Sequence, residues 1–338
     1  MSSPLPAADA VTYSWKLLRA GAFRLDGGSM FGLIPRVVWS RACPPDERGR
    51  MPVQHNCLIL ERTGPVGGGR PGPKRIVIEA GTGDKLDARS RELFELEPRS
   101  VIDALGEIGC DPASIDATIV SHLHFDHAGG LTRLARPGET PDWTGPASCF
   151  AGSRGDHGVK LTFPNAQVVC QKREWEDALA NRSVMTRTYF VDHLLPIRER
   201  VRLVDSPPPF APGTTPDRDD MPRAPLEARE TEVYPGVWVF RVPGHTWGQQ
   251  AVRFAGPDGK SVVFTPDVMP TAWHVGQAYS LAYDVEPYTS SVSRHWFLSE
   301  AAERGWTLVL DHEPGNPVRT VRRNDKGWFD LVEAAGPG

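Results

Sequence analysis

The chain has 338 residues, 40% of them hydrophobic and 24% charged, with a net charge of −4; it is long enough to bury a large core and lacks the basic field that holds a nucleic-acid backbone. No stretch approaches the ~20 apolar residues of a membrane span, and the N-terminus lacks the basic start and apolar run of a secretory signal, so a cytoplasmic protein with neither a membrane nor a nucleic-acid partner is expected. Five widely spaced cysteines, Cys43, Cys57, Cys110, Cys149 and Cys170, contain no C-x-x-C pair, which argues against a disulfide framework and against a thiolate metal site.

An apolar N-terminal arm over about 1–50 precedes the first strand candidates, N-C-L-I-L-E (56–61) and R-I-V-I-E-A (75–80). Helical spacing then fits R-S-V-I-D-A-L-G-E-I (99–108), and A-T-I-V-S (117–121) reads as a strand. The strand A-Q-V-V-C (166–170) leads into a helix over K-R-E-W-E-D-A-L-A (172–180), with Trp175 packing its buried face. Strands follow at V-W-V-F-R-V (237–242) and K-S-V-V-F-T (260–265), then a helix over 290–303 and a strand at T-L-V-L-D (307–311). Proline and glycine concentrate at 64–73, 135–146 and 205–216. These segments read as surface loops, with long loops near 136–165 and 205–230 and a solvated charge run at 218–220. No repeat and no shift in composition marks a boundary, so one domain over 1–338 is expected. The alternation of strands and helices suggests an α/β or α+β body, with a two-layer β core and helices outside it.

The segment S-H-L-H-F-D-H-A-G-G (121–130) places His122, His124, Asp126 and His127 within six positions. It follows a strand candidate directly. On an extended chain His122 and His124 point to one side, while Asp126 and His127 fall where a helix could begin. Imidazoles and carboxylates crowded this closely would be left unsatisfied in a core, so an ion is their natural organiser. Four such groups serve two ions only if more arrive from elsewhere. His245 in V-P-G-H-T-W-G, Asp267 in F-T-P-D and His312 in V-L-D-H-E-P each lie just past a strand candidate, where a rigid scaffold presents functional side chains. Nitrogen and oxygen donors without thiolate suit Zn²⁺, and Mn, Co or Fe fit the same set.

In that order, His122, His124, Asp126, His127, His245, Asp267 and His312 resemble the ligand pattern of the metallo-β-lactamase superfamily. G-G-S-M-F-G-L-I-P (27–35), G-T-G-D-K (81–85) and P-G-H-T-W-G-Q (243–249) are most similar to its quorum-quenching lactonase and methyl-parathion-hydrolase-like group. The resemblance implies a four-layer αββα sandwich with the site at one edge. It implies two divalent ions: one on His122, His124 and His245, the other on Asp126, His127 and His312, with Asp267 bridging. It further implies a metal-bridging hydroxide as nucleophile, with Asp126 and Asp267 as catalytic carboxylates, and a small apolar ester or lactone, such as an N-acyl homoserine lactone, as substrate. Three positions bear on this reading. Pro270 stands where those lactonases carry tyrosine, Glu79 stands where the family often has aspartate and reads as structural, and His124 stands where redox di-iron members carry glutamate, which favours hydrolysis.

Phe31 and Trp39 lie in one apolar stretch, and Trp273, His274 and Tyr279 in another just after Asp267. They could form an apolar substrate wall over the metals, or pack as core or dimer interface. His55, His157, His193 and His295 read as structural histidines. An organophosphate triesterase or aryl esterase would share the same site and differ in its pocket. A nuclease is disfavoured by the acidic charge, and a non-catalytic or mononuclear-iron dioxygenase member of the fold is the remaining alternative. A homodimer would cover the apolar arm.

Overall fold

The computed structural model describes residues 11–63, 72–150, 154–185, 187–210 and 223–336. Its first element, β1 (Tyr13–Asp26), buries roughly alternate positions and pairs antiparallel along the length of β2 (Arg50–Arg62). Between them the chain turns through α1 (Gly27–Phe31) and α2 (Arg36–Ala42). The arm expected over 1–50 is thus, from Tyr13 onward, an edge of the main body; residues 1–10 lie outside the described residues. Interleaved charges such as Lys16, Arg19 and Arg24 hid β1 from a search for apolar runs, because a half-buried strand needs only one apolar face.

β3 (Arg75–Ile78), α3 (Ala88–Leu93), α4 (Val101–Glu107), β4 (Ala117–Ile119) and α5 (Phe125–Ala128) follow. Then come β5 (Thr132–Leu134), β6 (Trp143–Pro146), β7 (Asp156–Leu161), β8 (Gln167–Gln171), α6 (Lys172–Leu179), α7 (Val191–Leu194) and β9 (Val201–Val204). The second half holds α8 (Leu226–Arg229), β10 (Thr231–Tyr234), β11 (Val237–Arg241), β12 (Gln250–Ala255), β13 (Ser261–Thr265), α9 (Pro287–Arg304), β14 (Thr307–Leu310), β15 (Val318–Arg323) and β16 (Phe329–Glu333). Helix ends carry recognisable signals. Ser100 and Asp103 make a reciprocal capping box at the start of α4, while α9 opens on Pro287 and stops at Gly305, whose φ of +64° glycine adopts without strain.

The strands form a six-stranded sheet in the order β1-β2-β3-β4-β8-β9, a seven-stranded sheet running β10 to β16 in sequence, and a small sheet β5-β7-β6. Leu58, Leu60, Ile78, Ile119 and Val169 of the first sheet meet Val239, Val252, Phe254, Phe264 and Val309 of the second. Burying each large apolar side chain in this layer contributes about 1.5–3 kcal/mol. Val101, Leu105, Trp175 and Ala178 place α4 and α6 on the outer face of the first sheet, and Phe297, Leu298 and Ala301 place α9 on that of the second. The result is the four-layer αββα sandwich.

The stretch 136–165 is not a long loop. It contains β6 and β7, whose Gly- and Pro-containing strands are held by antiparallel pairing with each other and with β5 rather than by intrinsic propensity; residues 151–153 lie outside the described residues. In the expected 205–230 loop, residues 211–222, including the charge run at 218–220, lie outside the described residues, and Leu226–Arg229 is a single helical turn. Residues 64–71 of the 64–73 loop are likewise outside. None of the five cysteines forms a disulfide, and no helix among the described residues is long and apolar enough to cross a membrane.

Parallel pairing of β3 with β4, β4 with β8 and β13 with β14 sends several strand ends toward one edge. Backbone bonds stitch that edge together: Asn56 N–H to Asp311 C=O at 2.8 Å, Gln54 N–H to His312 C=O at 3.2 Å, and Gln250 N–H to Ser121 C=O at 2.9 Å. The segments after β4, β11, β13 and β14 therefore converge.

Two buried histidines away from the convergence set an acid limit on stability. Burial, reinforced by the Lys85 charge, pushes His193 down to about 3, and burial pushes His274 down to about 4. The unfolded chain binds protons at these sites near the ordinary 6.5, so the folded state is at full strength above pH 6.5 and weakens as pH falls toward 4. Urea unfolding at pH 7 and pH 5 will show a loss of roughly 1–2 kcal/mol per histidine, and His274→Gln will flatten the difference; equal slopes for the two proteins would refute this assignment.

Candidate metal centre

The segment 121–130 leaves β4 and enters α5, with His124 as the residue before the helix. Glycines allow the tight passage that follows: a Cβ on Gly129 would lie 2.2 Å from the Thr82 carbonyl oxygen, and one on Gly130 would lie 2.0 Å from that of Ala80. His245 comes after β11, Asp267 after β13 and His312 after β14, so every sequence-predicted ligand sits just beyond a strand, on α5 or immediately before it. All seven are buried.

Two groups of side chains form there. One ligand atom each from His122, His124 and His245 lie within 4.8 Å of one another, as do atoms from His127, Asp267, Asp311 and His312. Asp267 stands between the groups. Its Oδ2 is 3.1 Å from His245 Nε2, 3.7 Å from His127 Nε2 and 3.9 Å from His122 Nε2, while its Oδ1 is 3.4 Å from His312 Nε2. Asp126 is not within the second group. Its carboxylate lies 3.6 Å from His312 Nε2 and 3.9 Å from His127 Nε2, on the first turn of α5, and Asp311 at the end of β14 joins the group instead.

The outer nitrogens of four histidines are already committed. His245 Nδ1 pairs with Asp284 Oδ1 at 2.9 Å, His312 Nδ1 donates to the Gln54 carbonyl at 2.9 Å, His122 Nδ1 meets Ser121 Oγ at 3.0 Å, and His127 Nδ1 lies 3.3 Å from Glu79 Oε2. Such partners fix the tautomer and leave the inner nitrogen as a lone-pair donor. The inner atoms then face one another, with His245 Nε2 3.0 Å from His124 Nδ1 and His312 Nε2 3.2 Å from His127 Nε2. Buried and without hydrogen-bond partners are His122 Nε2, Asp267 Oδ1 and both carboxylate oxygens of Asp311. Orphaned donors and acceptors of this kind, converging from three strand ends, fit divalent cations.

Electrostatics agree. Burial, then the neighbouring imidazoles, push His122 and His124 well below the ordinary range, so both are neutral. At His245 burial acts downward, but Asp267 and Asp284 overcome it and lift the ring to about 10. Burial also opposes ionisation of Asp267, yet the charges of His245 and His312 hold it well below the usual carboxylate range. The cluster demands positive charge, which protons on histidine supply when no cation does.

Glu79 and Glu174 hold the frame. Glu79 adopts φ +66°, costly for a residue with a Cβ, and its Oε1 accepts from Ser121 N–H at 2.6 Å while its Oε2 faces His127. The sequence reading of Glu79 as structural understates it, since it touches a candidate ligand. Glu174 on α6 accepts from Leu123 N–H at 2.9 Å, Thr246 Oγ1 at 2.6 Å and Tyr189 Oη at 3.1 Å, tying the His122–His124 loop to the His245 loop. Neither Glu174 nor Asp284 was legible as a site residue, because each reaches the site only through tertiary contact, while Asp311 stands beside His312 in sequence and was passed over.

Of the five wall candidates, three take the packing alternative. Phe31, Trp39 and His274 are at most 2% exposed and form a packed stack, with Phe31 5.0 Å from Trp39 and 5.1 Å from His274 between ring centroids. Both His274 nitrogens are occupied, by Thr271 Oγ1 and by the Met30 carbonyl, each at 2.8 Å. Packing therefore takes these three inside. Trp273 and Tyr279 are only partly buried against the same cluster. His55 is likewise a core residue, stacked on Phe23 and bonded to Gly21 and Thr82. His157 and His193 join a buried network with Ser148 and Asp192.

A profile of the metallo-beta-lactamase superfamily matches residues 51–220, half of the chain. The chain belongs to that superfamily. Among curated relatives, the N-acyl homoserine lactonase AiiA of Bacillus thuringiensis subsp. kurstaki is 23% identical over 199 residues, 59% of this chain and 56% of that protein. The chain thus spans little more than half the length of the curated relative it matches. Solved structures resemble it along nearly its whole length. A protein described as a "probable metal-dependent hydrolase" from Staphylococcus aureus superposes with a TM-score of 0.69 at 20% identity, covering 98% of this chain and 100% of its own. AidC, described as a dizinc quorum-quenching lactonase and solved with its product N-hexanoyl-L-homoserine, gives a TM-score of 0.64 at 15% identity, covering 97% and 99%. At these identities the likeness is one of fold.

Proposed function

We propose that the chain, a single domain over residues 1–338, is a hydrolase that holds two divalent ions, most simply zinc, and acts on a small apolar ester or lactone of the N-acyl homoserine lactone kind. The observation that carries this is Asp267, whose two oxygens face two separate groups of imidazoles. His122, His124 and His245 would hold one ion, and His127, His312 and a carboxylate from Asp126 or Asp311 the other, with Asp267 shared. Bound there, the two ions would supply an activated water at neutral pH and a Lewis acid for the scissile carbonyl. No serine or cysteine nucleophile is then required.

The protein's own groups do the rest. Glu79, Asp284 and the Gln54 carbonyl orient the imidazoles, so little reorganisation accompanies reaction. Asp126, slightly exposed on α5, lies beside His127 and His312, where it can take up and deliver a proton. Trp273 and Tyr279 give an incoming acyl chain an apolar surface. The lactonase kinship of the curated relative supports this substrate class.

Elemental analysis of the purified chain, run beside a panel of acyl lactones, aryl esters, phosphotriesters and β-lactams, tests the reading. About two ions per chain and lactone or ester turnover lost on chelation and restored by zinc are expected. Far fewer than two ions after reconstitution would sink the dinuclear site, and faster phosphotriester turnover would reassign the substrate to organophosphates.

A further inference from the structure

One more polar group lies beside the candidate centre with nothing to bind. The phenol oxygen of Tyr283 is shut off from solvent and has no hydrogen-bond partner, an arrangement that costs about 1–3 kcal/mol and calls for a reason. Its ring stands edge-on to His245, with centroids 6.4 Å apart and planes at 86°. The backbone around it is pinned to the same loop: Val285 N–H donates to the His245 carbonyl at 3.2 Å and Glu286 N–H to that of Gly244 at 2.9 Å. On its other side Ala282 N–H donates to the Ser29 carbonyl at 2.8 Å. Its neighbour Asp284 accepts from Leu281 N–H at 3.1 Å and holds His245 Nδ1. The phenol is therefore fixed relative to one candidate ligand.

We propose that Tyr283 is a catalytic residue, its hydroxyl donating a hydrogen bond to the substrate oxygen on which negative charge develops during hydrolysis. This rests on the metallohydrolase reading above and adds a residue to it. No proton is transferred; the phenol keeps its hydrogen and only shares it. Burial first, and then the charges of Asp267, Asp126 and Asp284, hold the phenol in its neutral form. None of these carboxylates accepts from it. A rigid, water-excluded donor without a ground-state partner gains its bond when an acceptor arrives, and the bond strengthens as that acceptor becomes an oxyanion. Bound ions attract the same oxygen, so the phenol works beside them.

The test uses the full-length, zinc-loaded protein and the best ester or lactone of the panel. Tyr283→Phe removes an unpartnered buried hydroxyl, so metal content should stay at the wild-type value and the urea midpoint should hold or rise, never fall. Its kcat should fall about 100-fold with KM within a few-fold. Calorimetry supplies a reading independent of turnover: a phosphonate mimic of the tetrahedral species should bind about 100-fold more weakly to the variant, while an unreactive amide analogue binds equally to both. Incorporating 3-fluorotyrosine at 283, a stronger donor, should tighten phosphonate binding. Unchanged kcat and phosphonate affinity in Tyr283→Phe overturn the assignment while leaving the hydrolase standing. Loss of metal or of fold overturns it too, by making Tyr283 a ligand or a packing residue. A zinc-loaded wild type that hydrolyses nothing in the panel overturns both.

Discussion

Replacing Asp267 with alanine will leave the sandwich folded and remove both metal retention and turnover. The two proposed ions share this carboxylate: Oδ2 approaches His245, His127 and His122, and Oδ1 approaches His312. Without it, five imidazoles crowd a volume that two cations would have to occupy with no anion between them, and repulsion between the cations is no longer offset. Metal content should fall from about two ions per chain to one or fewer. Turnover should drop on the order of 10³-fold or more. Far-ultraviolet circular dichroism should match wild type, because Asp267 follows β13 and carries none of the inter-sheet packing. Elemental analysis and initial rates on the same preparation decide the matter. Two ions at a wild-type rate in the variant would remove Asp267 from the site.

Glu174→Ala should cost stability and metal affinity together, although Glu174 belongs to neither candidate ligand group. The carboxylate is buried on α6 and receives three hydrogen bonds, from Leu123 N–H, Thr246 Oγ1 and Tyr189 Oη. Truncation strands those donors in a region that water does not reach, at about 1–3 kcal/mol for each one left unpaired. A loss of about 3 kcal/mol in urea unfolding is expected after partial relaxation. Leu123 lies between His122 and His124, and Thr246 follows His245, so both sides of the three-histidine group lose their common anchor. Zinc affinity should weaken 10–100-fold, the usual scale for outer partners of metal ligands. Competition with a chromogenic chelator measures it. A variant that loses stability but binds zinc as tightly as wild type would show Glu174 to be a packing residue only.

The local parts of this protein were legible before its structure. H-x-H-x-D-H compresses four candidate ligands into six residues because one strand end and one helical turn present them, and both are short-range features with their own periodicity. His245, Asp267 and His312 stood out for the same reason, each following an apolar run that reads as a strand. The helices at 101–107, 172–179 and 287–304 carried capping or apolar spacing that a linear reading detects.

Other features had no local signature. β1 alternates apolar and charged residues and becomes a strand by pairing with β2, while β6 and β7 hold glycine, and β6 also proline, in strands only because they pair with each other and with β5. Phe31, Trp39 and His274 went inward, since aromatic residues near a site have the same composition whether they line it or support it. Asp284, Glu174 and Tyr283 lie far in sequence from the histidines they approach, Asp311 lies beside His312 but far from His127, and single acidic or tyrosine residues are too common to be read as site members on their own. The amino-acid sequence by itself determined which histidines could hold metal and on which strand ends they would sit, because that chemistry is written in short spacings. Only the tertiary structure decided which carboxylate each imidazole faces and which phenol is left without a partner, because two sheets must first be packed and stitched before those distances exist.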